Sequence, residues 1–168
     1  MKRFAQVISL LLLTSCSCEE EIKPLTELEK LPIPTQEGKN TFGCLINGQA
    51  WRVTSTVNTS SVYQQGILVI TGKIITPFQT MGIVIRENSD VTTTGVYNLT
   101  EIPYREASIR YSDECDFFEE NTLSGTLTIT KFDKVNYIIS GTFEFTTALN
   151  GCDTLRITDG RFDIKYTP

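Results

Sequence analysis

Residues 122–130 (TLSGTLTIT) and 137–147 (YIISGTFEFTT) alternate apolar and polar side chains with a period of two. Side chains of an extended chain point alternately to opposite faces, so this period specifies strands and excludes helices. Leu123, Leu127 and Ile129 fall on one face, and Thr126, Thr128 and Thr130 on the other. Ile139, Phe143 and Phe145 are expected to face inward, and Thr142, Glu144 and Thr146 water. An antiparallel sheet with one buried face has this pattern. The last segment, TLRITDGRFDIKY, contains a slip: Leu155 and Ile157 share one parity, Phe162, Ile164 and Tyr166 the other. One extra residue at Asp159-Gly160, as a bulge or a turn, restores the facing.

The same period runs through the earlier chain. TFGCLINGQAWRV reads as two strands joined at Asn47-Gly48, a dipeptide suited to a type I′ turn. GILVITGKII and MGIVIRE are continuous apolar strands with a turn at Thr76-Pro77-Phe78-Gln79, and TTGVYNLT and ASIRYS are shorter ones. Many short strands with regular turns predict an all-β, antiparallel β-sandwich over residues 40–168, or else a small β-barrel. No internal repeat of fixed period is present.

The first residues follow a different logic. Lys2 and Arg3 precede a short apolar run that is too brief to span a bilayer and has the form of a secretory signal. It ends in Leu13-Thr14-Ser15-Cys16, which resembles the lipobox of bacterial lipoproteins. That resemblance implies a signal peptide over residues 1–15 and a lipid-modified Cys16 at the mature N-terminus. Cys18 fits less well, because Ser15 is a poorer residue than Leu13 at the third place before the cut. Residues 16–39 read as a tether. Glu19-Glu20-Glu21 keeps it extended, and Pro24, Pro32 and Pro34 break any long helix. Leu25, Leu28 and Leu31 permit a helical turn or two before Pro32. The triple glutamate is also similar to the acidic export tract behind the lipidated cysteine of Bacteroidetes surface lipoproteins.

NTFGCLINGQAW, LSGTLTITKFD, ISGTFEFT and ITDGRFDIKY, in that order and spacing, resemble a family of uncharacterised Bacteroidetes lipoproteins whose domain has no known function. The resemblance implies an exported, mostly β, lipid-anchored protein at the outer membrane. Surface exposure is expected, with a periplasm-facing location as the alternative. It implies no chemistry.

Three cysteines, Cys44, Cys115 and Cys152, lie in the domain, and an exported chain permits a disulfide. Cys44 is in phase with Phe42 and Ile46, and Cys115 with Ile109 and Tyr111. This parity puts Cys44–Cys115 ahead of Cys115–Cys152. Buried free thiols are the other reading.

Candidate chemistry is sparse. The chain has no histidine, which excludes Ser-His-Asp and Cys-His nucleophiles and histidine-bearing zinc sites. It has no glycine-rich phosphate loop, and a formal charge of −5 argues against nucleic acid as a partner. No cofactor is expected. The densest polar cluster is Asp113, Glu114, Asp116, Glu119 and Glu120 in SDECDFFEE. Paired carboxylates can hydrolyse glycosidic bonds or hold calcium, but this spacing matches no calcium loop. The expected function is therefore a non-catalytic binding or structural module, with a membrane contact through the anchor and an envelope protein or glycan as partner. A small carboxylate-dependent hydrolase acting on glycans is the alternative. Trp51, Tyr63, Tyr104 and Tyr111 are the candidate stacking residues for a glycan, although the place of Trp51 after the hairpin favours the core.

Overall fold

The computed structural model describes residues 23–87 and 93–168. Among these residues eleven strands form two antiparallel sheets. They are β1 (Thr41–Ile46), β2 (Gln49–Arg52), β3 (Thr59–Gln64), β4 (Ile67–Ile74), β5 (Gln79–Arg86) and β6 (Gly95–Asn98). The remainder are β7 (Arg105–Arg110), β8 (Asp116–Phe117), β9 (Thr122–Asp133), β10 (Ile138–Thr147) and β11 (Leu155–Lys165). One sheet has the order β2-β1-β11-β10-β9-β6, the other β3-β4-β5-β7-β8. The sheets do not close into a barrel, so the fold is a β-sandwich.

Period-two facing builds the core. Phe42, Leu127, Ile129, Ile139, Phe143 and Phe145 from the first sheet meet Leu68, Ile70, Met81, Ile83 and Ile85 from the second. Fully burying each such side chain contributes about 1.5–3 kcal/mol, which chain entropy largely offsets. Trp51 is 5 % exposed, stacks edge-on against Phe42, and donates its indole N–H to Gln79 Oε1 at 2.8 Å. It ties the β2 edge of one sheet to the start of β5 in the other. The expected Asn47-Gly48 turn forms with φ of 50° and 82°, both positive as a type I′ turn requires.

Bulges decide where parity survives. At the slip in β11, Thr158 pairs with Leu45 and Arg161 with Gly43, so Asp159 and Gly160 together face Cys44. Asp159 takes the left-handed conformation (φ 53°). Gly160 is required by space: a Cβ there would lie 2.4 Å from the Phe143 carbonyl oxygen. Phe162, Ile164 and Tyr166 thereby return to the core. A second bulge overturns one expectation. Thr122 and Ser124 pair with Thr147 and Thr146, which ejects Leu123 from the ladder and leaves it 64 % exposed. Thr122 turns inward in its place and donates to the Ala107 carbonyl across the sandwich at 2.9 Å.

The two sheets are tied at both ends. Beyond β11 the chain crosses to the second sheet, where Thr167 exchanges backbone hydrogen bonds with Ser61 and Tyr63 of β3. At the other end a disulfide joins Cys115, between β7 and β8, to Cys152, between β10 and β11, with Cα atoms 5.9 Å apart. This corrects the favoured Cys44–Cys115 pairing. Cys44 lies on β1 in the middle of the core as a buried free thiol. The parity argument failed for Cys115 because β7 ends at Arg110, and alternation carries no information past a strand's end.

Candidate functional site

The outer face of the six-stranded sheet carries a segment that strand periodicity could not place. Residues 26–39 belong to the expected tether, yet they run across this face as a strap. A single 3-10 turn, Leu28–Lys30, starts it. The Glu27 carboxylate accepts the backbone N–H of Ala50 at 2.9 Å, and so caps the β2 edge. The Lys30 carbonyl accepts from Arg52, and the Pro32 carbonyl from Arg161. Leu31 is buried. The described part of the expected tether is thus folded onto the domain from Thr26 onward.

Asp163 anchors the far end of the strap. It points outward from β11 yet is only 1 % exposed, because residues 35–39 cover it. Its carboxylate accepts five hydrogen bonds: from the hydroxyls of Thr35 and Ser140, and from the backbone N–H groups of Glu37, Gly38 and Lys39. Three successive amides converging on one anion form a nest. Burial alone would raise this carboxyl. The hydrogen bonds from Thr35, Ser140, Lys39 and Gly38 outweigh it and hold the pKa at about 2.

Between these two attachments the strap arches away from the sheet. A slot of about 390 Å3 lies under Ile33, Pro34, Thr35 and Gln36, with Gly141, Thr142 and Phe162 among its lining residues. A second hollow of about 470 Å3 shares Pro34, Thr142 and Arg161 with it and continues over Thr126, Thr128 and Glu144. Together they form a trough along the strap. The threonines expected to face water are its floor, and their register aligns them. Thr128 pairs with Thr142, and Thr142 with Arg161, in one row across three strands; Thr126 and Glu144 make the next row.

The acidic cluster is arranged differently. Asp113 and Glu114 are exposed in the turn beside the disulfide. Asp116 is ion-paired with Arg110, and Glu119 and Glu120 begin a 3-10 turn after Phe118. These five residues follow the chain around one rim of the sandwich. Among the described residues, no group of three or more His, Cys, Asp and Glu side chains is placed to hold a metal ion.

The candidate stacking aromatics do not converge either. Trp51 is in the core. Tyr63 packs against Phe132 and Tyr166, with the Lys134 ammonium 5.8 Å from its ring centre. Tyr104 is exposed in the β6–β7 connection, and Tyr111 borders a shallow groove beside Trp51 and Gln79. The lipidation residue Cys16, together with Cys18 and Glu19-Glu20-Glu21, lies outside the described residues. No helix among those described is long and apolar enough to cross a membrane.

The strap and Asp163 escaped sequence reasoning for one reason. An outward-facing Asp in a strand reads as solvated, and only tertiary structure brings the nest of residues 37–39 onto it. Thr35-Gln36-Glu37-Gly38 was the available signal, as a turn-forming run between Pro34 and the first strand.

A family model described as "Domain of unknown function (DUF6252)" matches residues 39–163. The chain belongs to this family. No curated protein and no solved structure matches it. The DUF6252 match takes in the trough floor and Asp163 but starts at Lys39, so Thr35, Glu37 and Gly38, three of the groups that hold Asp163, precede it.

Proposed function

We propose that this DUF6252 chain is a bacterial lipoprotein, anchored at the outer membrane through acyl chains on Cys16, whose sandwich serves there as a non-catalytic binding or structural module. The Cys115–Cys152 bridge carries this reading. Structural disulfides persist in oxidising compartments and are rare in the cytosol, which suits an exported domain. The Leu13-Thr14-Ser15-Cys16 stretch supplies the anchor, and Glu19-Glu20-Glu21 the signal for surface display. The strap adds a geometric consequence. From Cys16 to Thr26 the chain can span at most about 35 Å, so the sandwich stays close to the bilayer with its β2 edge nearest the anchor.

Metabolic labelling with an azide fatty acid tests the anchor. Wild type is expected to be labelled and Cys16→Ala not; equal labelling of both overturns the assignment. Replacing Glu19, Glu20 and Glu21 by Ala should leave labelling intact while protecting the protein from protease added to whole cells. Unchanged protease access would reduce those glutamates to a spacer.

A further inference from the structure

We propose that the trough between the strap and the outer face of the six-stranded sheet binds a neutral oligosaccharide chain. This deepens the binding-module reading and rests on it. The two hollows, about 390 and 470 Å3, share Pro34, Thr142 and Arg161 and so make one continuous site. Each is of small-ligand size.

The chemistry of the lining selects the ligand class. The row Thr128, Thr142, Arg161 places polar groups on adjacent strands about 4.8 Å apart, the scale of one pyranose ring. A threonine hydroxyl both donates and accepts, as a sugar hydroxyl does. Glu144 is exposed on the next row and supplies a pure acceptor for paired sugar hydroxyls. Gln36 offers an amide at the strap side, where it already donates to the Thr130 hydroxyl at 3.1 Å. Ile33, 80 % exposed, and Pro34 form an apolar lip for the C–H face of a ring.

Two competing ligand classes fit less well. An anionic chain would meet two carboxylates in the second hollow, Glu144 and Asp159, against the single cation Arg161, and the Lys131 ammonium is paired with Asp133. An extended peptide gains most of its affinity by adding to a sheet edge, and the trough lies on a sheet face. The edge beside it, β6, offers only the four residues Gly95–Asn98, and the far edge, β2, is capped by Glu27.

The test uses the full-length chain in detergent, run in native gels cast with starch, dextran, mannan, xylan, laminarin or pectate. Migration should be retarded in at least one neutral gel and less or not at all in pectate. Thr142→Trp, which fills the trough, should lose that retardation. Glu144→Ala, a milder change at an exposed position, should weaken it by about tenfold. Both variants should melt with the wild type. Equal migration in every gel, stronger retardation in pectate, or retardation that survives both substitutions overturns the proposal. Fatty-acid labelling is independent of these gels, so failure of the sugar site and failure of the lipoprotein reading are distinguishable.

Discussion

Asp163→Ala should lower the melting temperature by about 10 °C and release the strap from the sheet. The carboxylate accepts five hydrogen bonds in a site only 1 % exposed. Hydrogen bonds to a charged group contribute about 1.5–3 kcal/mol each when considered singly. The loss is smaller than their sum, because a released strap returns its amides to water. We expect about 3 kcal/mol in all, measured by denaturant or thermal unfolding. Asp163→Asn keeps one acceptor but turns an NH2 group toward donors, and should fall between wild type and Ala.

The same carboxylate gives the fold an acid limb. Its folded pKa, about 2, lies below the ordinary 3.8. A depressed acid stabilises the fold wherever the unfolded chain would also be ionised, so its contribution is complete above about pH 5. It fades as pH falls through the unfolded value and is gone below about pH 2, a loss of about 2 kcal/mol. Asp133 is also held at about 2, by Asn136 and Val135 in the β9–β10 turn, and titrates in the same window. The difference between wild type and Asp163→Asn, followed from pH 6 to pH 2, isolates the latch. It should shrink toward zero at the acid end. A constant difference would mean that Asp163 acts by packing alone.

Removing the Cys115–Cys152 bridge, by reductant or by a double Cys→Ser change, should cost about 2–4 kcal/mol without abolishing the fold. The bridge closes a sequence separation of 37 residues and joins the two sheets through their loops, at the margin of the core. Chain entropy gained by the unfolded state accounts for the loss, and the interior of Leu127, Phe143, Ile83 and their neighbours remains to hold the sheets together. Cys44 should behave in the opposite way. Burial pushes its thiol pKa up, so alkylating reagent should leave it unmodified in the folded chain and modify it on denaturation. Mass spectrometry of the unreduced, denatured protein should find Cys44 alkylated and Cys115 and Cys152 protected. Alkylation of Cys115 there would contradict the bridge, as would a melting temperature indifferent to reductant.

What could be read in advance follows from the range of each signal. Alternation is local, and it placed Leu127, Ile129, Phe143 and Phe145 inward and Thr126, Thr128, Thr130 and Thr142 outward. Turn chemistry is local too, and Asn47-Gly48 and Asp159-Gly160 stand where their residues predict. Leu123 was lost to a bulge that nothing in TLSGTLTIT announces, since its cause is the partner strand's register. The two-residue β8 is too short for any period to mark. Cysteine pairing depends on which loops share an end of the sandwich, and strand parity does not report that. The trough was legible by half: the sequence aligns its threonine floor, but the strap that walls it reads as linker because prolines and charges dominate it.

Amide hydrogen exchange of the strap tests the central claim, that residues 26–39 are part of the folded domain. The backbone N–H groups of Glu37, Gly38 and Lys39 donate to Asp163, and that of Ala50 to Glu27. Their exchange in the wild-type chain should be slowed by orders of magnitude relative to an unstructured peptide, and in Asp163→Ala the amides of residues 37–39 should exchange freely. Exchange of these amides in wild type at the unstructured rate would contradict the account, and would return residues 26–39 to a free tether.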